Sequence, residues 1–133
     1  MRESTVDLNI PMFVFEFASS ETSAEGLDDM VVRLRADIAG HPCARFIGVF
    51  DHFAHTRALP DGEIAPGIVD ARNVVFCFGM SIPEPCALAT RPRSIGLCQL
   101  SDRFVVSFLE HPMPLANTAI EGWVRGLATP ATP

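Results

Sequence analysis

The chain has 133 residues, 48% of them hydrophobic, and a formal net charge of −6. That is one domain's length, enough for a core needing neither metal nor disulfide support. The acidic balance, without clustered basic residues, excludes a nucleic-acid footprint, and no apolar run approaches the roughly 20 residues needed to cross a bilayer.

All the basic residues are Arg; there is no Lys. The N-terminus mixes charges and leads straight into a strand pattern, unlike a signal peptide, so a cytoplasmic location is expected. Residues 1–9 read as a loose lead-in. Pro11–Phe17 then alternates, with Phe13, Phe15 and Phe17 on one strand face and Met12, Val14 and Glu16 on the other.

A helix is predicted over about 23–39. Thr22-x-x-Glu25 fits a capping box. Leu27, Met30, Val31, Leu34 and Ile38 form one apolar stripe. Gly40 is suited to a left-handed C-terminal residue, and Pro42 prevents continuation.

Cys43–Arg57 reads as a second strand that turns polar after Phe50. On strict alternation, Asp51, His55 and Arg57 share one face and His52 projects from the other. Ala58–Ala71 holds two turn signals, Pro60-Asp61-Gly62 and Pro66-Gly67, and reads as a long connection. Arg72–Met80 is a third strand with Val74, Phe76, Phe78 and Met80 aligned. Residues 81–93 are broken by Pro83 and Pro85, with one helical turn near Cys86–Thr90.

Ser94–Leu100 and Arg103–Glu110 flank the polar pair Ser101-Asp102 and read as a β-hairpin, strands four and five. A last helix begins near Pro112 and Pro114 and carries the stripe Ala116, Ala119, Ile120, Trp123, Val124 and Leu127. Residues 128–133 read as a flexible tail.

The order β-α-β-β-β-β-α describes a single α+β domain over 1–133. Successive strands without crossover helices imply a five-stranded, mainly antiparallel sheet, with the two helices packed on one face. So much apolar content in a small domain predicts self-association, most simply a homodimer. The strands should supply the contact, because each helix spends its one stripe on its own sheet.

Cys43, Cys77, Cys86 and Cys98 contain no CxxC pair and read as reduced. Cys77 and Cys98 lie in apolar strand patterns and read as small core residues.

Three chemistries compete. Asp51 beside His55 would make an acid/base pair, the carboxylate orienting the imidazole, in a small cofactor-free hydrolase or isomerase. His52-x-x-His55 would converge as metal ligands only on a helical turn or bulge and lacks a third ligand with diagnostic spacing, so neither metal nor cofactor is expected. Arg91 and Arg93, with Arg57, offer forked donors for an anionic ligand, or simply pair with Asp61, Glu63 and Asp70. No phosphate loop, nucleophile elbow or nucleotide fingerprint is present. The reading that fits best is a non-catalytic module binding a small ligand or protein partner.

Overall fold

The computed structural model describes residues 1–128. Its elements are β1 (Met12–Ala18), α1 (Leu27–Ala39), β2 (Ala44–Phe50), α2 (His52–Ala58), β3 (Ile68–Phe78), β4 (Arg93–Leu100), β5 (Arg103–Leu109) and α3 (Pro114–Leu127), with 3-10 turns at Ser19–Glu21 and Pro85–Thr90. The five strands form one antiparallel sheet in the order β1-β5-β4-β3-β2. The hairpin turns at Ser101-Asp102, as its polar dipeptide predicts. Residues 1–10 carry no regular structure, and the tail predicted from 128 lies, from residue 129 on, outside the described residues. No helix among the described residues is long and apolar enough to cross a membrane.

One face of the sheet is covered by α1 and α3. Leu27, Met30, Leu34 and Ile38 of α1 and Ala116, Ile120, Val124 and Leu127 of α3 are buried against Val74, Phe76 and Phe78 of β3, Ile95 and Leu97 of β4, and Phe104, Val106 and Phe108 of β5. The Phe stripe of β1 closes this core, with Phe13 stacked on Phe108 at 5.2 Å and Phe17 tilted against Phe104 at 5.8 Å. Here the period of two in the strands and of 3.6 in the helices carries through unchanged.

Four expectations are corrected. The capping box does not form, because α1 begins at Leu27 behind Gly26. Thr22 instead donates its hydroxyl to the Leu127 carbonyl and accepts from the Ala24 N–H, tying the approach to α1 to the end of α3. Gly40 closes α1 in the right-handed region, φ −80°, with its N–H on the Ala36 carbonyl. Cys77 and Cys98 face away from the core, Cys77 exposed and Cys98 half-buried; all four cysteines are free thiols.

The fourth correction matters most for function. The strand predicted over 43–57 ends at Phe50, and Asp51 caps a third helix, α2, by accepting from the Ala54 N–H at 2.9 Å. An Asp followed by residues that pack equally well at a period of 3.6 satisfies orphan helix donors that a strand could not use. β3 in turn starts at Ile68, so the long connection shrinks to 59–67. A register shift between Phe46 and Gly48 also turns the end of β2 over. Phe46 therefore faces the helices, while Gly48 and Phe50 face the opposite side.

That opposite face is left uncovered by α1 and α3; α2 touches it only at its β2–β3 end, through Phe50 and Asn73. Its cross-strand rows run Val14–Ser107–Gly96–Asn73–Phe50 and Glu16–Val105–Cys98–Ala71, with Met12 beside Leu109 at one end. Met12, Val14, Phe50 and Leu109 are all exposed there.

The buried Thr22 link gives a direct check on how the helices are tied together. Thr22→Val keeps the shape and removes both hydrogen bonds, and should cost about 1–2 kcal/mol. Urea denaturation reads this as a lower midpoint at unchanged slope. A midpoint equal to the wild type would show that the contact contributes nothing.

Candidate functional site

The hairpin strands do not stay together along their length. Their ladder runs from Gln99↔Phe104 to Gly96↔Ser107 and stops. Beyond it β4 remains paired with β3, through Ile95↔Val74, Ser94↔Val75 and Arg93↔Phe76. β5 remains paired with β1, through Phe108↔Phe13 and Leu109↔Met12. The sheet therefore forks, with Gly96 at the crotch. A Cβ on Gly96 would sit 3.3 Å from Ser107 Oγ, a tight contact that glycine avoids.

A cavity of about 380 Å3 occupies the fork. Its lining draws on both sides of the sheet: Phe76, Phe108 and Ile120 from the core, and Asn73, Ser94 and Ser107 from the open face. Ala89, Thr90 and Pro92, from the 3-10 turn and the residues after it, form one wall; Met12 and Leu109 form the other rim. Mostly apolar walls with a few convergent polar groups are what small-molecule sites offer.

Arg93 is the ionisable side chain in that lining. It is only 8% exposed and lies on the core side of β4, opposite Phe76. Its Nη1 reaches across the fork to the Glu110 carbonyl at a long 3.4 Å, and its Nε–H has no acceptor. The salt bridges among the described residues belong to Arg72 and Arg103, so no carboxylate compensates Arg93. Burial lowers the guanidinium's pKa and the positive field of Arg91 lowers it further. A guanidinium nonetheless keeps its charge. An unpaired buried cation is an expensive arrangement, and natural cores rarely keep one without a use for it.

His111, 3% exposed, stands beside this charge. Its Nδ1 accepts from the Met113 N–H at 3.0 Å, which makes Nε2 the protonated nitrogen, donating to the Phe78 carbonyl at 3.3 Å. Asn117 holds the backbone of the same residue from both sides. Burial, then the charge of Arg93, push the imidazole pKa below its ordinary value, outweighing the Phe78 bond that acts upward. The folded state thus binds this proton less readily than the unfolded chain. His111 contributes stability that is fully present above the ordinary histidine value of about 6.5 and lost as the pH falls toward and through its depressed folded value. His111→Gln should flatten the fall in melting temperature between pH 7 and pH 5 relative to wild type. An unchanged slope would remove His111 from the acid response.

The residues singled out from the sequence are scattered. Asp51 serves as the α2 cap and lies 3.5 Å from Arg72 Nε. His55, three residues into α2, packs its ring on Phe50 at 5.2 Å. No side-chain hydrogen bond joins Asp51 to His55, and neither lines the fork cavity. Arg57 is exposed at the end of α2. The helical turn does bring the rings of His52 and His55 to 6.4 Å, yet no group of three metal-ligating residues forms among the described residues. Arg91 donates to the Ser81 carbonyl and borders a second, more open hollow of about 490 Å3 with Pro92. Of these six residues, Arg93 alone lines the fork.

The chain's match to a family of proteins runs over residues 1–129. It belongs to the Family of unknown function (DUF6858). No curated protein and no solved structure matches it.

In this member of the family the fork rim also takes in Asn73 and Ser94, which the sequence did not mark. His52 donates from Nδ1 to Asn73 Oδ1 at 2.9 Å, and Asn73 Nδ2 donates to Ser94 Oγ at 3.1 Å, a polar chain running from α2 to the rim. On the helix side Arg72 collects Asp28 at 2.8 Å, Asp70 at 3.2 Å and Asp51 at 3.5 Å. Burial would lower the pKa of Arg72, but these acids outweigh it and hold the charge. Arg72 is thus the compensated counterpart of Arg93. One signal for the fork is visible in the chain: a glycine, Gly96, set inside an otherwise apolar strand.

Proposed function

We propose that the protein is a non-catalytic module that takes a small ligand into the cleft of the forked sheet and pairs with a second copy through its uncovered sheet face. The cleft carries the reading. A sheet whose central hairpin opens to leave an apolar-walled cavity gives up ladder hydrogen bonds, and a ligand seated there would restore contacts that the fork leaves unmade. Asn73, Ser94, Ser107 and Thr90 would orient the ligand. The lining holds no carboxylate, imidazole or thiol, which favours binding over acid/base chemistry at this place. The exposed Met12, Val14 and Leu109, neighbours on the open face, support self-association, since exposed apolar surface marks interaction sites. We place the module in the cytoplasm, in keeping with its four unpaired cysteines.

Protein-observed proton–nitrogen NMR with a library of small aromatic and aliphatic compounds tests the cleft. Binders should shift the amide signals of Ser94, Gly96 and Ser107. Binders that instead shift residues around Arg91 and Met80 would place the ligand in the second hollow and overturn the assignment.

A further inference from the structure

Resting on the cleft reading, we infer that the ligand is a small monocarboxylic acid with an apolar body, its carboxylate held by Arg93. The guanidinium lines the cavity, is more than nine-tenths buried, has an Nε–H without an acceptor, and lacks any carboxylate partner among the described residues. Its charged neighbours are of its own sign or neutral: Arg91 raises the local positive potential, and His111 is held neutral. The one group bonded to it, the Glu110 carbonyl at 3.4 Å, holds it weakly and leaves its remaining N–H donors to a guest in the cavity that it lines.

The rest of the cavity narrows the class. One cation among hydroxyls and an amide calls for a single negative charge; a dianion such as phosphate would stay half-compensated in a site with no second cation in its lining. Arg matches a planar carboxylate with two parallel N–H donors. Phe76, Phe108, Ile120 and Leu109 supply walls for an aromatic or short aliphatic body. At about 380 Å3 the space lies at the small end of the range of ligand sites, roughly 300–1,000 Å3.

The test uses calorimetric titration of the intact protein with phenylacetate, its neutral isostere phenylacetamide, and inorganic phosphate. Phenylacetate should bind at least tenfold more tightly than phenylacetamide, and phosphate should not bind. Arg93→Met should erase the preference for the acid while leaving the amide's affinity within about twofold; Arg93→Gln serves the same purpose if the first variant does not fold. Equal binding of acid and amide overturns the carboxylate assignment and leaves the cleft reading standing. Tighter binding of phosphate overturns it in favour of an inorganic anion. Binding of none of the three overturns both. A preference for the acid that survives in Arg93→Met and Arg93→Gln removes Arg93 as the anchor.

Discussion

Arg93→Met should make the ligand-free protein more stable. Exchanging buried ionic groups for well-packed apolar ones is often neutral or stabilising, by about 1–4 kcal/mol. Arg93 is a case where the exchange should favour the apolar residue. It is buried opposite Phe76, has no counter-ion among the described residues, and would give up only one long hydrogen bond, to Glu110. Methionine fills irregular space without demanding a hydrogen-bond partner. The expected result is a higher denaturation midpoint at unchanged slope, and a smaller drop in affinity for any neutral guest than for an acidic one. A destabilised variant would show that the guanidinium is part of the scaffold, and the cleft would lose its anchor. Stability given up at one position beside an apolar-walled cavity is the pattern expected where function, not folding, selects the residue.

A second large effect is expected on the opposite side of β1. Val14 is 56% exposed in the middle of the edge strand β1, on the uncovered face, opposite Ser107. In a two-fold dimer built on this face the same patch meets itself, so one substitution places two charges in the contact. Val14→Lys should therefore weaken the dimer by more than about 2 kcal/mol, a thirtyfold or greater rise in its dissociation constant. Lysine is well tolerated on an edge strand, so the monomer's own stability should hardly change. Sedimentation equilibrium across micromolar concentrations reads both chains. A wild-type protein that stays monomeric throughout would remove the dimer, and a Val14→Lys dimer of wild-type strength would move the contact to another surface. Because Asn73, Ser94 and Ser107 lie on that face, a second copy seated there would cover the cleft rim. Ligand release should then be faster from the Val14→Lys monomer than from the wild-type dimer.

How much of this was legible beforehand depends on whether a residue's fate is set by its neighbours in sequence or by those across the sheet. The Phe13-Phe15-Phe17 stripe, the Leu27–Ile38 stripe and the Ser101-Asp102 turn are local patterns, and each appears in the fold with its predicted role. The antiparallel order followed from them, because strands in succession have no room for crossovers. Asp51–Arg57 was open to two periods, and alternation was the wrong one. The helix gains a cap bond from Ala54 N–H to Asp51, worth on the order of 1 kcal/mol, and the contacts of His52 with Asn73 and of His55 with Phe50. One bulge between Phe46 and Gly48 then reversed which side Phe50 faces.

The candidate site was beyond any local pattern. Arg91 and Arg93 are two residues apart and chemically alike, so composition could not say which would be buried. Arg93 falls opposite Phe76 on the helix-covered side of β4, while Arg91 ends on the Ser81 carbonyl. The carboxylates that might have paired with Arg93 went elsewhere; Asp70 turned to Arg72. The amino-acid sequence by itself determined β1, the β4–β5 hairpin, α1 and α3, and the apolar stripes that β1 and these two helices bury, because those follow from periodicity along one chain. The fork, its cavity and the uncompensated charge in it arise where β4 stays with β3 and β5 stays with β1, and a parting between neighbouring strands is a property of cross-strand register that only the tertiary structure decides.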